Sequence, residues 1–170
     1  MVSSGREWGK TTTECFPNKE HLCRDMLIGE YKHTIDDKNR ISLPVKFRKE
    51  LGKNVVVTPG LDTCLFIFTM KEWQHIIHNN FNEGSFMKSD TRGFSRYLLG
   101  GANEVAVDSN GRILLTDVLK KRAHLSQKAV FVGVNTRIEL WDEALWERYK
   151  ENIEREADTL AERLGSIGLV

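Results

Sequence analysis

Apolar and polar positions alternate from Leu27 onward. Gly29, Tyr31, His33 and Ile35 share one face of an extended segment, and Ile28, Glu30, Lys32 and Thr34 share the other. Such alternation predicts a strand with one partly buried face. Asp36 to Asn39 interrupts it with turn formers: Asp bonds nearby backbone N–H groups, and Asn tolerates the left-handed region. Ile41 to Leu43 predicts a short second strand led by Arg40. Pro44 suits the first helical position, ahead of a helix over Val45–Leu51 that Gly52 ends. Val55–Thr58 and Cys64–Phe68 predict two further strands about the Pro59-Gly60 turn. The second of these is almost wholly apolar and is expected to be buried on both faces. Thr69 with Glu72 forms a capping box for a helix to about His78. Asn79–Gly84 reads as loop, and Ser89-Asp90 as the cap of a short helix through Tyr97.

The same order then recurs. Ile35–Leu43 reads IDDKNRISL and Val107–Leu115 reads VDSNGRILL, a shift of 72 residues. Asp36 and Asp108 each precede an Arg by four positions, Arg40 and Arg112. Glu104–Val107, Ile113–Leu115, Ala129–Val134 and Arg137–Trp141 are strand-like, and Thr116-Asp117 starts a helix through Ala123. Asn135-Thr136 is a hairpin-like connection. Trp73 aligns with Trp146 at a shift of 73, one inserted loop residue later. A repeat of this kind decides the fold reading before any single element does. Each copy is too small to bury enough surface alone, so the two are expected to fold against each other. Asp142 caps a last helix to about Leu164, with Leu145, Tyr149, Ile153, Ala157, Leu160 and Leu164 as an apolar stripe. That stripe is expected to pack on its own domain, with a neighbouring subunit as the alternative.

These elements give an α+β fold with five parts. Residues 1–25 form an extension without periodicity, read as disordered and as preceding a start at Met26. Residues 26–78 form the first repeat and 79–101 a linker with a short helix. Residues 102–146 form the second repeat, and 147–170 a C-terminal helix and tail.

Net charge over the 170 residues is only +1, so its placement matters more than its sum. Residues 36–53 carry six Lys or Arg against three acids, and 108–128 carry five against two. Residues 142–163 carry four against eight. Basic repeats point to a polyanionic partner. Cys15, Cys23 and Cys64 form no disulfide framework or metal spacing, which fits a reducing compartment. No apolar run is long enough to span a membrane, and the N-terminus lacks the apolar core of a signal peptide. No nucleophile elbow, phosphate-binding glycine loop or paired-histidine metal motif is present. No catalytic residue, metal, cofactor or small-molecule substrate is therefore expected.

The remaining chemistry is the pair of D-x-x-x-R turns. The planar fork of Arg suits phosphate, and it suits O6 and N7 of guanine in the major groove. Arg40 is the first choice for such a contact, with Lys38, Asn39, Lys46 and Arg48 beside it. Arg112 is the second choice, a contact with a neighbouring subunit being its alternative. Asp36 and Asp108 are expected to fix the turns and pair with the arginines. The competing readings are an interaction scaffold that meets an acidic protein, and an antitoxin-like module.

The segments MLIGEYKHTIDDKNRISLPVKFRKEL, GLDTCLF, GANEVAVDSNGRILL and GVNTRIELW resemble the MraZ family, which is built from two SpoVT/AbrB-type repeats. The resemblance covers the chain from about Met26 to the last helix. It implies an intertwined swapped-hairpin β-barrel and a ring-shaped homo-oligomer. It also implies sequence-specific binding of double-stranded DNA at repeated sites upstream of the division and cell-wall gene cluster. The implied role is a transcriptional regulator, usually a repressor, cytoplasmic and associated with the nucleoid. Two features depart from the family pattern: the 25-residue extension, and Asn39 where Gly usually precedes the first Arg.

Overall fold

A computed structural model of the chain describes residues 26–81 and 88–168. The extension expected over 1–25 lies outside them. The first repeat supplies β1 (Leu27–Thr34), β2 (Arg40–Ser42), α1 (Val45–Leu51), β3 (Asn54–Pro59), β4 (Leu65–Thr69) and α2 (Met70–Asn80). Then come α3 (Ser89–Leu98), β5 (Asn103–Ala106), β6 (Arg112–Leu114) and α4 (Asp117–Arg122). The chain closes with β7 (Lys128–Asn135), β8 (Ile138–Asp142) and α5 (Glu143–Ser166).

Six strands form one antiparallel sheet in the order β1-β7-β8-β4-β3-β5, and β2 pairs with β6 in a separate ribbon. The first strand of each repeat thus pairs with the third strand of the other: β1 with β7, β5 with β3. Neither repeat completes its sheet alone. The two copies fold against each other as the repeat leads one to expect, in the intertwined α+β architecture that the family resemblance implies. The register also shows where its approximate twofold axis runs. Ile41 lies opposite Ile113, and these numbers differ by 72; Phe66 lies opposite Glu139, and these differ by 73. Both differences equal the local repeat shift, so each pair straddles the axis.

The core follows from this exchange. Ile41, Leu43, Phe47, Val55, Leu65 and Ile67 of one copy meet Ile113, Leu115, Leu119, Phe131, Ile138 and Leu140 of the other, all at most 1% exposed. Each such side chain contributes ~1.5–3 kcal/mol by leaving water, and a lone repeat would forfeit much of that. A second cluster, Val56, Phe68, Trp73 and Leu98, lies under α2 and α3. The aligned tryptophans have matching roles: Trp73 packs on Phe68 at 5.6 Å and Trp146 on Trp141 at 5.4 Å.

Local signals explain most boundaries. Thr69 accepts from the N–H of Glu72, Thr116 from that of Leu119, and Asp142 from those of Ala144 and Leu145. Gly52 ends α1 at φ +75°. Several expectations need correction. Pro44 stands one residue earlier than predicted, at the N-cap, where its extended ψ leads the chain into the helix. Lys88 holds the N-cap of α3 with no side-chain bond, so Ser89 and Asp90 lie inside the helix. Asn79 and Asn80 continue α2, since their side-chain amides bond back to His75 and to the Ile76 carbonyl. The strand expected from Cys64 begins at Leu65; Cys64 closes a turn whose Asp62 and Thr63 take positive φ.

The stripe of α5 also differs from its expected packing. Trp146 and Tyr149 pack at a tilt against Trp141, and Lys150 pairs with Glu30 at 3.2 Å. Beyond Lys150 every residue to Ser166 except Leu160 is exposed. Residues 151–166 therefore extend away from the domain for roughly 24 Å at helical rise. Ile153 and Leu164, at 41% and 39% exposure, find no core there.

Candidate nucleic-acid interface

Each D-x-x-x-R segment closes on itself in the same way. Oδ1 of Asp36 accepts from the N–H groups of Lys38 and Arg40, both at 2.9 Å. Oδ1 of Asp108 accepts from those of Asn110 and Arg112, also at 2.9 Å. Backbone bonds Asp36–Arg40 and Asp108–Arg112, each 2.8 Å, complete the two turns. One carboxylate oxygen thus shapes the turn and leaves the other for the arginine. Arg40 donates to Oδ2 of Asp36 from Nε at 2.8 Å and from Nη2 at 2.7 Å. Arg112 donates to Oδ2 of Asp108 from Nε at 2.8 Å. Bonds from Arg40, first through its side chain and then its backbone, hold the Asp36 carboxyl down at about 2. Asp108 is held below the usual carboxylate range, chiefly by the Arg112 N–H.

A guanidinium has five N–H donors. Asp36 engages two of those of Arg40, leaving Nη1 and the outer edge of Nη2 facing away from the carboxylate. The fork that suits a guanine edge or a phosphate stays open while its plane is braced. Both arginines sit on the ribbon face opposite the buried Ile41–Ile113 pair, with side chains 33% and 28% exposed.

The flanking residues differ between the two copies. Asn39 and Gly111 are equivalent, with φ of +58° and +73°, and each turn faces the helix of the other repeat. The Asn39 amide donates to Oδ1 of Asp117 at 2.8 Å, and its carbonyl accepts from Nζ of Lys120 at 2.7 Å. Gly111 instead lies against the guanidinium of Arg48, which a Cβ there would strike. Nε of Arg48 donates to the Leu43 carbonyl at 2.8 Å. His33 lies near this charge; burial first, then Arg48, pushes its pKa down. Lys38 and Lys46 are exposed, Lys46 on the outer side of α1.

Of the residues singled out from the sequence, the ribbon thus brings together Arg40, Arg112, Asp36, Asp108 and Lys38. Asn39 and Arg48 have their polar groups engaged within the protein. Asp117 and Lys120, which complete the first turn, were missed, as was Leu114, exposed on the ribbon directly opposite Arg40. Period-two alternation from the buried Ile113 would have found Leu114. The contacts of Asn39 have no local sequence signal, because they cross 78 and 81 residues.

Among the described residues, no group of three or more His, Cys, Asp or Glu is placed to hold a metal ion. No helix among them is long and apolar enough to cross a membrane. The Cys64 thiol is buried and donates to the Leu61 carbonyl, and that burial pushes its pKa far up.

The fold and the ribbon define a tandem-repeat, strand-exchanged α+β protein that displays two Asp-braced arginines on one surface. The sequence model of the family described as "MraZ protein, putative antitoxin-like" matches residues 26–97 and 98–166. The chain belongs to the MraZ family. It is 40% identical over 144 residues to the transcriptional regulator MraZ of Thermoanaerobacter sp. (strain X514), covering 85% of this chain and all of that protein. It is 42% identical over 145 residues to the transcriptional regulator MraZ of Clostridium tetani (strain Massachusetts / E88), with the same coverage.

Proposed function

We propose that this protein is a sequence-specific DNA-binding transcriptional regulator whose β2–β6 ribbon enters the major groove, with Arg40 as the principal base-reading residue. The observation that carries this reading is the braced guanidinium, repeated about the axis, with its free edge directed outward. A β-ribbon fits the major groove, and an Arg fork paired with guanine is the commonest specific contact there. Arg112 is the second reader. Lys38 and Lys46 meet phosphates and set register without reading sequence. Asn39 and Arg48 act by holding the turns against the facing helices. The names of the relatives support a regulatory role. Repression of a division and cell-wall gene cluster from repeated upstream sites is the finer form of the proposal, with the protein cytoplasmic and at the nucleoid.

Assembly into a ring-shaped homo-oligomer belongs to the same proposal. The free half of α5, with its exposed Ile153 and Leu164, supplies surface for a neighbouring copy. A ring presenting several ribbons gains affinity for repeated sites through effective concentration. The test is fluorescence anisotropy on duplex DNA from upstream of the protein's own coding sequence, against a shuffled duplex of equal length. The expected result is tighter binding to the upstream duplex, with log affinity falling by ~0.9 per neutralised phosphate per log unit of salt. Equal, salt-insensitive binding to both would overturn the reading. The family's antitoxin-like description would then favour a protein partner for the basic turns.

A further inference from the structure

The outward face of the ribbon carries four side chains. Arg40 lies opposite Leu114, and Ser42 lies opposite Arg112. Across the approximate axis Arg40 corresponds to Arg112 and Ile41 to Ile113, so the copies match at two of the three strand positions. They differ only where Ser42 corresponds to Leu114. Leu114 takes no part in the core and is 54% exposed, whereas its neighbour Ile113 is 1% exposed. The bare twofold arrangement would present the same chemistry in both directions along a duplex. This single difference makes one end of the ribbon a guanidinium beside an isobutyl group and the other a guanidinium beside a hydroxyl.

Directly opposed residues in an antiparallel pair have Cβ atoms ~4.5–5.5 Å apart. Base pairs in a duplex rise by ~3.4 Å. Leu114 is therefore the apolar side chain set directly across the ribbon from Arg40, within about one to three base pairs of any base its guanidinium reads. In the major groove the one apolar feature of a base edge is the C5-methyl of thymine, which apolar side chains contact. Resting on the DNA-reading proposal above, we infer that Leu114 is a specificity-determining residue: it packs on a thymine methyl next to the guanine read by Arg40. The Arg112–Ser42 end has no such preference. Each protomer then reads a directional, non-palindromic element despite its internal twofold.

The experiment selects binding sites for the full chain from a random-sequence duplex library. The library is amplified once with thymidine and once with deoxyuridine, which lacks the methyl group and keeps its pairing. Wild type is expected to enrich guanine with thymine beside it. It keeps the guanine and loses the neighbouring preference in the deoxyuridine library. The preference at that base pair is about three- to five-fold, the worth of one methyl group removed from water. Leu114→Ser abolishes it, and Ser42→Leu creates a second thymine preference on the opposite side. Both substitutions change exposed or half-exposed ribbon positions; the thermal melt of each variant is expected to match wild type. Guanine enrichment without a thymine preference, or a preference that survives deoxyuridine and Leu114→Ser, overturns this inference and leaves the DNA-reading proposal standing. No enrichment by any variant overturns both.

Discussion

Replacing Gly111 with Ala perturbs the second turn at its contact with α1. Two effects add. A residue with a Cβ at φ +73° carries left-handed strain of roughly 1–2 kcal/mol. The new Cβ also strikes Cζ and Nε of Arg48, so the guanidinium must leave. It then loses its bond to the carbonyl of Leu43, a residue 0% exposed. A hydrogen bond from a charged donor is worth ~1.5–3 kcal/mol. The expected total for Gly111→Ala is about 2.5–5 kcal/mol. In an Arg48→Ala background the clash and the bond are already absent, leaving only the ~1–2 kcal/mol of backbone strain. The double-mutant cycle should therefore show a coupling of about 1.5–3 kcal/mol, the worth of the lost bond. Urea unfolding of the four proteins at one fixed protein concentration, with the slope checked for constancy, gives the numbers. Costs that add to within about 0.5 kcal/mol would refute the packing of Gly111 against Arg48.

Other consequences are checked more briefly. Asp36, held at about 2 by Arg40, contributes stability that is complete above the unfolded carboxylate range and is lost as pH falls through about 2. Its carbon-13 NMR titration should show that midpoint and move up to the ordinary range in Arg40→Ala. His33 is pushed down by burial and by Arg48, so its fold favours the neutral ring. Lowering pH from 7 to 5 should reduce the melting temperature of wild type more than that of His33→Gln. Asp142 caps α5 and also accepts from the N–H and hydroxyl of Ser126. Asp142→Ala should cost about 2 kcal/mol in urea unfolding, at the upper end for a lost cap. Ile153→Ser with Leu164→Ser should leave the helical signal intact and lower the mass found by light scattering; an unchanged mass would remove α5 from the assembly contact.

The repeat was legible because both copies keep the same order of apolar strands, turn and basic helix. Asp36 and Asp108 could be read as turn formers, since an Asx turn is a local structure closed by the N–H two residues on. Helix caps at Thr69, Thr116 and Asp142 were legible for the same reason. Which strand pairs with which was not: the β1–β7 and β3–β5 pairings join segments far apart in sequence, and alternation reports a face, not a neighbour. The departure at Asn39 shows the same limit. From the sequence it is an Asn in place of Gly at a positive-φ position. In the fold its side chain bridges Asp117 and Lys120, while Gly111 leaves room for Arg48. Each turn residue suits the basic side chain it faces, Asn with Lys and Gly with Arg. The α5 stripe misled for a different reason. Apolar spacing shows that a helix has a face to cover, and says nothing of whether the covering surface lies in the same chain.

The reading of DNA by Arg40 is tested most directly by Arg40→Lys. Lysine keeps the charge and loses the planar fork. The quantity to measure is the ratio of affinities for the upstream and shuffled duplexes, at one salt concentration, alongside the melting temperature. The account predicts that Arg40→Lys binds the shuffled duplex about as tightly as wild type does. Its preference for the upstream duplex should fall by roughly 1–3 kcal/mol per contacted base pair, with little change in melting. An unchanged preference would contradict it, as would a loss that appears only when the protein also unfolds or dissociates.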